Sequence, residues 1–286
     1  HHFRPEWSHN SAPDLTLAAI SQRTTRMRLG VAVVLVPIHH PLHVAQRMAT
    51  LDILSNGRVD LGVGRTGYPY QLTPFGTKLE DTRGMWEEFA QVLPRIWTEE
   101  VFSHEGKYYQ VPPREVLPKP IQKPGPPIWV GGDTLRSVRR AARIGDAWMT
   151  SPRHSKGFIR EAIQVFNQSR EALELPAAPP VFFRELFVAD SREEAETELV
   201  ECFERLYHMY HREGQPGERY DRTFEELKED RIIIGSPQEV TEEIQSYQDD
   251  FGAEYMFFRV YYLGMDPEKS LQCINLFGEQ VVPHFS

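Results

Sequence analysis

The chain has 286 residues and a formal charge of −9, from 32 basic and 41 acidic side chains. That length suits one large α/β domain, and the acidic balance with no basic block excludes a protein built to hold nucleic acid by charge. A hydrophobic share of 40% supports a packed core and excludes wholesale disorder.

The chain opens on His1-His2-Phe3, without an initiator methionine or a targeting segment. Those histidines read either as a tag remnant or as a motif from inside a longer protein. Leu29 to Val36 is a β-branched run that predicts a buried strand, and it is too short to span a bilayer. Pro41 to Ser55 predicts a helix stopped by Asn56-Gly57. Arg58 to Gly64 is a second strand. Met85, Phe89, Val92 and Ile96 share a helical face, although Pro94 interrupts it. Val101 to Val111 predicts a hairpin turning at Glu105-Gly106.

A proline-rich connector over 117–127 leads to a short strand at Ile128 to Gly131. Thr134 to Ile144 is a helix closed by Gly145. Strands at Ala147 to Thr150 and Val181 to Ala189 are each followed by a helix. Glu213 to Arg231 is charged and carries Gly214, Pro216 and Gly217; it reads either as a mobile loop or as a solvated helix around 223–228. Ile232 to Ile234 is strand-like. Ser236-Pro237-Gln238-Glu239 is a capping box that opens a helix. A strand at Tyr255 to Val260 and a helix from Pro267 complete the chain. Six strands alternating with helices predict a parallel sheet, doubly wound or a (β/α)8 TIM barrel, and six is two short of a barrel.

Functional residues are sought at strand ends. Gly62-Val63-Gly64-Arg65 ends a strand; its glycines would let a ligand near the backbone and Arg65 would hold an anion, or the segment is a packed glycine-rich strand. Gly131-Gly132-Asp133-Thr134 runs into a helix N-terminus, which suits a phosphate but equally suits an ordinary N-cap. His39, His40 and His43 lack the spacing and carboxylates of a metal centre and read as helix-entry histidines. Cys202 and Cys273 sit in no CxxC or metal spacing, which fits a reducing, cytoplasmic compartment.

Together, His1-His2-Phe3, 26–41 (RMRLGVAVVLVPIHHP), 51–65 (LDILSNGRVDLGVGR), Phe75-Gly76, 117–132 (LPKPIQKPGPPIWVGG) and 234–240 (IGSPQEV) resemble the bacterial-luciferase-like flavin-dependent monooxygenase family. The resemblance implies a single-domain (β/α)8 barrel from which the first two strands are missing, strand two but for its end, so that His1-His2-Phe3 ends strand two. It implies reduced FMN with O2, a C4a-hydroperoxyflavin, a small organic substrate, a separate NAD(P)H flavin reductase and a homo-oligomer. The alternatives are a deazaflavin (F420)-dependent oxidoreductase and a flavin-binding protein without turnover.

Carried over by position, His1 matches the family's catalytic histidine. Arg65 and Arg83 match basic residues on the flavin phosphate, and Asp133, Thr134 and Ser137 match the helix start on the same phosphate. Val31, Ala32 and Val33 match the strand under the flavin ring, where the family often carries a non-proline cis peptide. Trp7, Tyr68 and Tyr70 are candidates for the substrate side. Gly64 stands where the light-emitting enzymes carry a cysteine, which argues against light emission. The 213–231 segment resembles the family's active-site loop, expected to close over bound flavin.

Overall fold

The β-branched runs become parallel strands, and the amphipathic stretches become the helices between them. The structure, a computed structural model, describes residues 3, 10–66, 68–212 and 222–285. Contacts divide the chain into two units, residues 1–131 with 143–147, and residues 132–142 with 148–286.

The first unit carries α1 (Pro13–Ser21), β1 (Leu29–Leu35), α2 (Pro41–Ser55), β2 (Val59–Gly64), α3 (Pro69–Leu72), α4 (Thr82–Thr98), β3 (Val101–Glu105), β4 (Gln110–Glu115) and β5 (Ile128–Gly131). Strand β2 is central, paired in parallel with β1 and β5, and it is buried along its whole length. The expectation of a fully buried first strand needs correction: Ala32 is exposed and Val33 to Leu35 are half-buried. Asn56 (φ 57°) ends α2 in the left-handed region, where its short polar side chain is tolerated.

Helix α4 runs straight through Pro94. The proline removes one helical hydrogen bond, but Phe89, Val92, Leu93, Ile96 and Trp97 are all buried around it and hold both turns. The β3–β4 hairpin is anchored on α4 by Glu88. Its carboxylate accepts from the backbone N–H groups of Tyr108 (3.0 Å) and Tyr109 (2.8 Å) and meets His104 Nε2 at 3.0 Å. The proline-rich connector is pinned in the same way. Buried Asp52 accepts from Gln122 N at 2.9 Å and from Gln122 Nε2 at 2.7 Å.

The second unit carries α5 (Leu135–Ile144), whose last residues lie in the first unit, then β6 (Ala147–Met149), α6 (Lys156–Glu171), β7 (Val181–Val188), α7 (Arg192–Arg212), α8 (Phe224–Arg231), β8 (Ile232–Gly235), α9 (Pro237–Phe251), β9 (Tyr255–Arg259) and α10 (Pro267–Gln280). Strand β7 is central. It pairs in parallel with β6 at Met149, with β9 over Val181 to Glu185 and with β8 over Glu185 to Val188.

Two expectations bear on this unit. The described residues hold seven parallel strands rather than six, because Ile232 to Gly235 pairs fully with the second half of β7. Within the charged 213–231 segment, residues 224–231 form α8, as the solvated-helix reading has it for that part. Thr223 and Glu226 close a reciprocal capping box, and Phe224 and Leu227 are buried, Phe224 edge-on to Phe203 at 5.6 Å. Two well-placed apolar side chains suffice where composition suggested little to bury. Residues 213–221 lie outside the described residues. No helix among the described residues is long and apolar enough to cross a membrane.

Candidate functional site

In the first unit the candidate ring-binding strand is β1. The Ala32–Val33 peptide is cis, and the β1–β2 register shifts between Val31 and Val34. Gly62 and Gly64 of β2 lie against this stretch. A Cβ on Gly62 would come within 2.5 Å of the Val31 carbonyl oxygen, and one on Gly64 within 2.7 Å of Val33 Cγ2. The neighbouring strand therefore accounts for both glycines. No side chain, cysteine included, fits at position 64 unless Val33 yields.

The buried Thr66 side chain bonds to Gln71 and accepts from Tyr68 N at 3.1 Å, and Arg65 is left exposed. Its guanidinium makes no hydrogen bond or ion pair among the described residues. Arg83, in the first turn of α4, is also exposed, but it already pairs with Glu87 at 3.2 Å. An exposed pair of that kind is worth at most about 1 kcal/mol, so it does not commit the arginine. His40 caps α2, its Nδ1 accepting from Leu42 N at 3.2 Å, as a helix-entry histidine should. Tyr68 and Tyr70 lie with ring centroids 5.5 Å apart. Trp7 and His1 fall outside the described residues.

In the second unit Thr134 and Ser137 cap α5 reciprocally. Ser137 N donates to Thr134 Oγ1 at 3.2 Å, and Thr134 N donates to Ser137 Oγ at 2.9 Å. The next N–H groups of this first turn, on Leu135 and Arg136, are not part of the cap, as expected at a helix start. Gly132 makes the tight entry possible, since a Cβ there would lie 2.9 Å from Ser137 Oγ.

Asp133 is engaged elsewhere. It accepts from Arg153 Nη2 at 2.7 Å and faces His154 Nε2 at 3.2 Å. Burial works to raise its pKa, but the adjacent His154 ring and the charge of Arg153 outweigh it and hold the carboxyl at about 2. His154 Nδ1 accepts from Ser151 N at 3.2 Å, so the ring proton sits on Nε2, toward Asp133. Burial pushes the His154 pKa down, against the pull of Asp133. An imidazole with a lowered pKa thus faces an aspartate that is ionised at neutral pH. That carboxylate would repel a phosphate, so within the predicted anion segment Thr134, Ser137 and the backbone remain the candidates.

Sequence reasoning missed a cluster of buried charge in the same unit, made of Arg153, His154, Arg184 and Glu185. Arg184 is fully buried and donates to the carbonyls of His154 (2.8 Å) and Asp230 (2.5 Å). A signal was available. The adjacent Arg184-Glu185 pair interrupts an otherwise apolar strand, VFFRELFV, and charge in the middle of a buried strand needs a partner.

The chain as a whole is similar to known proteins. The chain is 27% identical to the oxygenase component of the flavin-dependent trigonelline monooxygenase of Acinetobacter baylyi, over 96% of this chain and 81% of that protein. The crystal structure of monooxygenase RslO1 from Streptomyces bottropensis superposes with a TM-score of 0.82 at 28% identity, covering 96% of this chain and 83% of that one. The oxygenating constituent of 3,6-diketocamphane monooxygenase from Pseudomonas putida, solved with FMN, shares the fold with a TM-score of 0.80 at 24% identity, over 99% and 86% of the two chains. The profile of one family, luciferase-like monooxygenase, matches residues 1–254. Taken with the α/β order and parallel pairing described above, a match of that extent places this chain in the luciferase-like monooxygenase family.

Proposed function

We propose that this enzyme is the oxygenase of a two-component flavin monooxygenase that uses reduced FMN and O2 to oxidise a small organic substrate. The observation that carries the reading is Arg65. A cation with no bond among the described residues, exposed at the C-terminal end of a parallel strand, is placed to meet an anion. The residues present fit FMN. Ala32 and Val33 offer a small apolar surface, and Arg65 offers a guanidinium for the phosphate, with Arg83 able to exchange Glu87 for it. In the second unit, taken by itself, Thr134 and Ser137 hold the start of α5, and the N–H groups of Leu135 and Arg136 offer neutral donors to an anion, with the helix dipole behind them.

Bound reduced flavin would supply two electrons and the centre at which O2 is activated. The chain's own part is to bind, orient and exclude water. His1 is proposed as the acid–base group that holds or moves a proton at its imidazole. A separate NAD(P)H-dependent reductase would deliver the flavin.

Flavin fluorescence titration tests the site. Losing a charged hydrogen-bond partner costs about 1.5–3 kcal/mol, so Arg65→Ala should weaken FMN binding about tenfold or more. Unchanged affinity would remove Arg65 from the site. The absorbance spectrum and mass of the copurifying cofactor separate FMN from the deazaflavin F420, and oxygen uptake with reduced FMN separates an enzyme from a carrier.

A further inference from the structure

Strands β7 and β9 face each other rung by rung, with Phe183 opposite Phe257 and Glu185 opposite Arg259. Side chains two residues apart share a face, so an aromatic rung and a charged rung lie side by side. The two phenyl rings stack at 4.6 Å with an interplanar angle of 16°, and the Arg259 guanidinium lies over Phe183, 5.6 Å from the ring centroid.

The charged rung is unusual. Glu185 is fully buried, and neither carboxylate oxygen has a hydrogen-bond partner. Its nearest cation is Arg259 Nε at 3.5 Å. Arg259 in turn donates from Nη1 to Tyr210 Oη at 2.9 Å, and its Nη2 makes no hydrogen bond among the described residues. Its side chain remains 20% exposed. Glutamate and tyrosine hold the guanidinium by attraction, and Nη2 is left without a hydrogen bond among the described residues. Arg259 is also the last residue of β9, at the end of a parallel strand where α/β sheets place their ligands.

We propose that Arg259 anchors the anionic group of a flat acid substrate, an aromatic or conjugated carboxylate, whose apolar body rests beside the Phe183–Phe257 pair. The inference rests on the monooxygenase reading and names the substrate class for it. The guanidinium fork matches a carboxylate in its plane, and a neutral ligand of the same shape would leave that edge unanswered. Glu185 is a positioning residue: it fixes Arg259 without touching the substrate.

The test compares benzoate with its neutral isostere benzamide by ligand-observed NMR titration on the full chain. A parallel titration measures FMN binding to the wild type. Benzoate should bind at least about tenfold tighter than benzamide, the usual scale for one charge-assisted pair. Arg259→Lys keeps the charge and loses the fork, so it should remove most of that preference. The double variant Glu185→Gln/Arg259→Gln removes both charges together, leaves no uncompensated buried ion and should abolish the preference. Circular dichroism verifies folding, and if the double variant does not fold, Arg259→Lys decides.

Equal binding of the two probes, binding of neither, or a preference that survives in Arg259→Lys overturns the proposal. A wild type that discriminates the probes but does not bind FMN overturns the flavin reading and leaves the anion site standing. One that binds FMN without discriminating does the reverse.

Discussion

Asp133→Asn isolates the electrostatics of the second unit. In the folded protein the carboxyl sits at about 2 against an ordinary 3.8. A gap of nearly two pKa units corresponds to about 2.4 kcal/mol at ~1.36 kcal/mol per unit. The side chain is 30% exposed, so solvent screening reduces the figure to about 1–2 kcal/mol. Because the folded pKa is depressed, the contribution is complete well above pH 4. It is lost as pH falls from about 4 through about 2, where the folded carboxylate takes up its proton. Asparagine keeps the shape and one acceptor for Arg153 but has no charge to lose. Urea unfolding at pH 7, 5, 4 and 3 should therefore show wild type ahead by about 1–2 kcal/mol at neutral pH, with the gap closing below pH 4. Carboxylates elsewhere titrate in both proteins and cancel in the difference. A gap independent of pH, or a variant as stable as wild type at pH 7, would refute the role given to Arg153 and His154.

Other substitutions test the packing around the site. Gly62→Ala places a methyl 2.5 Å from the Val31 carbonyl oxygen and should destabilise by about 2–3 kcal/mol, read as a lower thermal midpoint; a neutral result would mean that β1 and β2 lie further apart. Gly278→Ala, with nothing within 4 Å of its Cβ, is the control and should be neutral or slightly stabilising as a helix substitution. Glu88→Ala strands the N–H groups of Tyr108 and Tyr109 and should cost about 2–3 kcal/mol. Amide exchange should quicken in the β3–β4 hairpin, and uniform exchange across the protein would argue that Glu88 does not anchor it. Thr223→Ala removes one half of the α8 capping box and should cost about 1 kcal/mol, with proteolysis starting within 222–231; resistance equal to wild type would show that Phe224 and Leu227 alone hold the helix.

The alternation of strand and helix was legible in the sequence because it rests on local periodicity: β-branched runs at 29–36 and 181–189, helical spacing from Met85 to Ile96, and the Ser236 to Glu239 capping box. Strand-end glycines and arginines were legible for the same reason, as was the helix start at Thr134. What those residues meet was not, because their partners lie far along the chain. The sequence left Gly62 and Gly64 between a ligand's approach and a packed strand, and Val31 and Val33, some thirty residues earlier, are what they lie against. It left the Asp133 segment between a phosphate site and an ordinary helix cap, and it did not show that Arg153 and His154 lie against the carboxylate. Ile232 to Ile234 read as strand-like and became a full strand only through pairing with β7. The Glu185–Arg259 rung had no local signature at all, since its members are 74 residues apart in the chain and meet only through the β7–β9 register. Local propensity fixes which element a segment forms, whereas burial and the partner of a charge are set by chain segments that only the folded structure brings together.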